Sequence, residues 1–340
     1  LLRPRDSSYV PIGADWCLAW INPQLHTGPA GERAAQLVAA RLAPAQRWTR
    51  AQNASAVLAN KTDVVKDEAF SRWFPVQKEV ATWFGDTRVA PDGRRLISDA
   101  QLHTMQGALK PGDVIVERRN WYLSNVGLPG FWPHAALYVG TQDDVRAALD
   151  DDAEVRARYG GAFSEHLAHK RSAAWAELGK RDGGGHPQVV VEAISEGVVT
   201  TSLEHSCGAD YVAVMRPRLP PIAVARAIDR ALSYFGRPYD FDFDFATDDS
   251  IVCSELVMKA YEPTQDLAGL RVPWITVAGR RAVPPTEIVR VFEAELGTPE
   301  PQLDFVWFLD GRERDKAAVV ADAAALAGSV HRPKWDIAQP

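Results

Sequence analysis

The chain has 340 residues, 46% of them hydrophobic and 24% charged, which supplies enough apolar material for a core that folds without disulfides. A formal net charge of −6, with no basic stripe, argues against a nucleic-acid partner. Three cysteines (Cys17, Cys207 and Cys253) are too few for a disulfide framework, and no uncharged apolar run reaches the roughly 18 residues of a membrane span.

Residues 1 to about 105 read as a mostly helical extension. Apolar residues recur at helical spacing over Gly31–Ala43 and again over Val65–Phe84, before a turn at Pro91-Asp92-Gly93. From about 106 to 310 the pattern changes. Short runs rich in Val, Ile and Tyr predict strands at Asp113–Glu117, Ala135–Val139, Val189–Ile194, Val198–Thr201 and Tyr211–Met215. Helices are predicted over Ile222–Phe235, Ser250–Tyr261 and Thr286–Glu295. Strands first and helices after is the α+β pattern, with an antiparallel sheet. Residues 141–187, charged and Ala-rich and then Gly-rich, read as a solvated helical insertion between two strands. Residues 311–340 read as a final helix, Arg312–Val330, and a loose tail.

Three side chains invite a chemical reading. Ser250 is a good N-cap, which places Cys253 in the first turn of its helix. Free N–H groups and the helix dipole there favour a thiolate, and the same N–H groups suit an oxyanion. The alternative is a buried structural cysteine, which packs as a small hydrophobe. His134 opens a strand behind an aromatic loop, where it serves either as a general base or as an ordinary edge histidine. Glu192 sits in Val189–Ile194 with apolar neighbours on both sides. A carboxylate on a buried strand face needs a partner, and an imidazole N–H supplies one; the alternative is a strand edge facing water.

Other features point to no cofactor or metal. Asp240, Asp242 and Asp244 alternate as in calcium loops, but Phe245 and Ile251 occupy the places where an EF-hand needs Gly and Glu. His166 and His169 lack the context of a zinc site, and Gly183-Gly184-Gly185 precedes no helix. The loop Arg118–Pro133 carries Trp121, Phe131 and Trp132. It is either a substrate wall or a set of aromatics folded onto the core.

Five segments in order resemble one family: Lys110-Pro111-Gly112-Asp113-Val114-Ile115, the strand His134–Gly140, Val191-Glu192-Ala193, the run Gly236-Arg237-Pro238-Tyr239-Asp240-Phe241-Asp242-Phe243, and Cys253-Ser254-Glu255-Leu256-Val257. The chain is similar over residues 107–295 to the YiiX/YebB-like permuted papain-like cysteine hydrolases of the NlpC superfamily. The resemblance implies a circularly permuted papain-like fold, with an antiparallel sheet packed on the nucleophile helix. It also implies Cys253 as nucleophile, His134 as base and Glu192 as orienter, with Tyr239, Trp121 and Trp132 as substrate contacts. The chain departs from the family at Pro133, where a small polar residue is common, and in the insertion that leaves 58 positions between His134 and Glu192.

Three functions follow as expectations. The first is amide hydrolysis through a thioacyl-enzyme, on peptide or isopeptide bonds of murein fragments in a bacterial cell envelope or periplasm. The second is the same chemistry on an acyl-lipid substrate, as a hydrolase, thioesterase or acyltransferase. The third is a non-catalytic binding protein on the same fold.

Overall fold

The structure is a computed structural model that describes residues 95–120, 130–239, 251–277 and 280–333. The helices expected over Gly31–Ala43 and Val65–Phe84, the Pro91 turn, Trp121, the alternating acids at 240–244 and Ser250 lie outside the described residues. A seven-stranded, fully antiparallel sheet organises the rest, in the order β4-β3-β2-β1-β5-β8-β9. Its strands are β1 (Val114–Arg118), β2 (His134–Tyr138), β3 (Gln188–Ile194), β4 (Gly197–Ser202), β5 (Tyr211–Pro217), β8 (Leu303–Arg312) and β9 (Ala317–Val320). A separate hairpin pairs β6 (Ile275–Val277) with β7 (Arg280–Ala282).

Both faces of the sheet are covered, so the central strands are largely apolar on both faces rather than strictly alternating with polar residues. On one face Val114, Val116, Ala135, Leu137 and Val191 pack against α7 (Pro221–Ser233), α8 (Cys253–Ala260) and α9 (Pro285–Glu295). On the other, Ile115, Ala136, Tyr138 and Val190 meet α1 (Asp99–Gln106) and the single turn α6 (Leu203–Ser206). The Lys110–Asp113 turn sets the start of β1. Gly112 adopts φ 96°, and a Cβ there would meet the Val224 side chain at 2.5 Å, so glycine is required. Asp113, fully buried, accepts from the Lys110 N–H at 2.8 Å and pairs with Arg216 at 2.7 Å.

The five predicted strands and three predicted helices fall where the apolar patterns put them, to within a few residues. Two expectations change. The insertion is four short helices, α2 (Gln142–Leu149), α3 (Ala153–Tyr159), α4 (Phe163–Lys170) and α5 (Ser172–Leu178). Their inner residues Val145, Leu149, Phe163, Leu167, Trp175 and Leu178 join the main core, so the segment is solvated on one side only. The stretch from 312 is not one long helix. Arg312 ends β8, residues 317–320 form the edge strand β9, and among the described residues only α10 (Ala323–Gly328) and a short 3-10 turn (Ser329–His331) are helical. The ten-residue β8 lay unrecognised because its sequence, Leu-Asp-Phe-Val-Trp-Phe-Leu-Asp-Gly-Arg, alternates poorly.

Phe131 and Trp132, just before His134, fold back on the core. Trp132 is completely buried, and its indole N–H donates to Ser329 Oγ at 2.9 Å. It stacks edge-on with Phe131 and Phe308. Its burial corrects the reading of Trp132 as a substrate wall. Trp132→Ala is expected to cost about 3–5 kcal/mol of folding stability, as large aromatic truncations in cores do. Urea denaturation checks this; near wild-type stability with a raised KM would restore the substrate-wall reading.

Candidate active site

His134 opens β2, and Glu192 lies on the next strand. The β2–β3 register pairs Leu137 with Val191 and Tyr138 with Val190, which puts Glu192 opposite Ala136, one same-face step from His134. His134 Nε2 and Glu192 Oε2 are 2.8 Å apart, and Glu192 is 2% exposed. The carboxylate also accepts from Thr201 Oγ1 of β4 and, at 3.3 Å, from Ser206 Oγ. A buried Glu thus has three donors, which is the condition for keeping it charged. Burial alone would raise its pKa, but the His134 hydrogen bond and charge, then Thr201, bring it down to about 2.

Cys253 begins α8 and is 4% exposed. The N-cap is Val252, not Ser250, so the sulfur sits at the first helical position. No side chain of the cap residue bonds back; instead the Val252 N–H donates to Glu255 Oε2 at 3.3 Å. Cys253 shares its buried face with Leu256, Val257 and Ala260, as helical spacing predicts. Its sulfur lies 4.0 Å from the Pro133 carbonyl oxygen, which puts it against the residue that precedes His134. Burial opposes a charged His134 ring, yet the charge and hydrogen bond of Cys253, followed by those of Glu192, hold its pKa well above the ordinary imidazole value. Three residues from two strands and a helix therefore meet: sulfur, imidazole, carboxylate. With Nε2 engaged by Glu192, Nδ1 is the ring nitrogen left for the sulfur.

Sequence reasoning missed a fourth member. Glu117 is directly opposite His134 in the β1–β2 register, 6% exposed and on the same sheet face. Burial pushes its carboxyl up, while Arg119 (Nε at 3.6 Å) and His134 pull it down. It ends an apolar strand, before Arg118-Arg119, and no local sequence pattern sets it apart. Cys207 is completely buried beside this group, its thiol pushed well above the usual range by burial and then by Glu117 and Glu192. That environment marks it as an inert packing cysteine. Tyr239 is half-buried against the core, and its backbone bridges Ile251, two residues before Cys253.

A model of the permuted papain-like amidase enzymes, the YaeF/YiiX, C92 family of peptidases, matches residues 108–288, more than half of the chain. The protein belongs to this family. No curated protein and no solved structure matches it. As a C92-family protein it is an enzyme of the papain-like amidase class, a cysteine-peptidase-type hydrolase of amide bonds in peptide-type substrates. The match spans β1 to the first turn of α9, which takes in His134, Glu192 and Cys253 and also the four inserted helices. No helix among the described residues is long and apolar enough to cross a membrane.

The depressed Glu192 makes a pH signature. A carboxyl whose folded pKa lies below its unfolded value stabilises the fold above about 4.5 and loses that contribution as pH falls toward about 2. Wild type is therefore expected to be more stable than Glu192→Gln at neutral pH, with the gap closing steadily across that acid window. Chemical denaturation at a series of pH values measures it, and a gap that does not change with pH would contradict the assignment.

Proposed function

We propose that this C92 amidase works through Cys253 as nucleophile, His134 as general base and then acid, and Glu192 as the group that orients and charges His134. The observation that carries the reading is the 2.8 Å His134–Glu192 contact beneath the Cys253 sulfur. By accepting from Nε2–H, Glu192 holds the ring with Nδ1 toward the sulfur. The thiol proton passes to Nδ1 to give an imidazolium, and the thiolate so formed attacks the substrate carbonyl carbon. The resulting oxyanion meets the first N–H groups of α8, which have no carbonyl partner within the helix. The imidazolium then protonates the departing amine and leaves a thioester on Cys253. Water, losing a proton to Nδ1, hydrolyses the thioester to release the acid and restore the thiol.

For the substrate we propose peptide or isopeptide bonds of murein fragments, in a bacterial envelope or periplasmic setting, with Tyr239 as a substrate contact beside the strand that leads to Cys253. An acyl-lipid substrate draws less support, since Trp132, offered as part of an acyl-chain wall, is core. The triad's contacts and buried charges also favour this reading over that of a binding protein, which has no need to keep an ionised Glu192 under a histidine.

Cys253→Ala and His134→Ala are each expected to lower kcat/KM on a cleavable murein peptide by at least about 10³-fold, the scale on which a member of such a relay acts. Glu192→Gln should lower kcat more than it raises KM, because it acts on the ring rather than on substrate. Released amine, followed by chromatography, is the measurement. Full activity in Cys253→Ala would sink the mechanism, and turnover of acyl esters without turnover of murein peptides would replace the substrate.

A further inference from the structure

The inserted helices and α7 line an open cavity, of about 610 Å³, which receives no residue from β2, β3 or α8. Its wall carries four arginines, Arg158 and Arg171 from the insertion and Arg226 and Arg230 from α7. Their charges are not evenly met. Arg171 Nε reaches Asp229 at 2.8 Å, and His166 shares the same carboxylate at 3.2 Å. Arg230 pairs with Glu262 at 2.8 Å, and Arg158 with the exposed Asp266 at 3.4 Å. Arg226 donates to a neutral acceptor, the Glu262 backbone carbonyl, at 2.6 Å. Burial lowers the Arg226 pKa, and its neighbours Arg230 and Arg158 lower it further. Among the described residues, four guanidiniums with three carboxylates between them leave an excess positive charge facing the cavity, where an anion gains charge-assisted, often bidentate hydrogen bonds.

We propose that this cavity is a binding site for a small organic anion carrying a phosphate or comparable dianionic group, with Arg226 and Arg230 as its principal contacts. The volume is in the range of small-molecule pockets and exceeds what a bare oxyanion fills. The Tyr159 ring, packed on Phe163 and His166, offers a flat surface for the organic body. The site gives the insertion a role of its own: its inner faces complete the core while Arg158, Tyr159, His166 and Arg171 complete the pocket with α7. The inference is independent of the reaction at Cys253.

The test is calorimetric titration of the full chain with inorganic phosphate and with glycerol phosphate, at constant ionic strength and with chloride as the reference salt. Saturable binding of either phosphate is expected, with glycerol phosphate the tighter if the phosphate is carried on an organic body and inorganic phosphate the tighter if it is taken free. Arg226→Gln should weaken binding by about tenfold or more, the loss expected when one charge-assisted contact is removed. Arg226→Lys, which keeps the charge and guards against misreading a folding defect, should weaken it less. Cys253→Ala should bind as wild type does. The proposal is overturned by the absence of saturable binding, or by binding that Arg226→Gln leaves unchanged.

Discussion

The site depends on one contact, the hydrogen bond between a buried imidazole and a buried carboxylate. A carboxylate that is 2% exposed is costly to ionise, and removing one partner of such a pair leaves the other uncompensated. Glu192 stays charged because three donors converge on it from three elements: His134 from β2, Thr201 from β4 and Ser206 from α6. The first two are set by the antiparallel register, and a slip of one residue in β3 would turn Glu192 to the opposite face and break all three at once. The fold thus ties the geometry of the relay to the correctness of the sheet.

The placement of the sulfur is a separate constraint. Cys253 enters from the opposite layer, at the N-terminal end of a helix packed on the sheet, and meets His134 because that residue is the first of its strand. Both residues lie at element ends, where a layer of helices and a layer of strands can touch through side chains without disturbing either core. Chain order is irrelevant to this arrangement: His134 and Glu192 precede Cys253, and the three elements still converge.

Much of this was legible in the sequence because burial leaves a pattern. Short apolar runs marked β1 to β5, and the lone Glu within one of them left two readings open, a buried carboxylate with a partner or a strand edge facing water, of which the structure has the first. The N-cap was misplaced by two residues: Ser250 is the better capping type, but the helix begins where Glu255 can reach back to Val252. Glu117 was hidden because its neighbours, Arg118 and Arg119, suggest a solvent-facing strand end, whereas Arg118 is itself fully buried and donates to the Phe131 carbonyl at 2.8 Å. Long-range pairing also escaped local patterns. The β5–β8 partnership joins segments some 90 residues apart, and nothing within Leu303–Arg312 states that a sheet edge awaits it. Likewise, the insertion's surface charges advertised a solvated face and concealed the apolar one.

The most direct test of the account is an NMR titration of the His134 ring in wild type and in Glu192→Gln. In wild type His134 is expected to titrate well above an ordinary histidine, and in the Gln variant, with its fold intact, the titration is expected to move to lower pH. An ordinary titration in wild type, unmoved by the substitution, would contradict it.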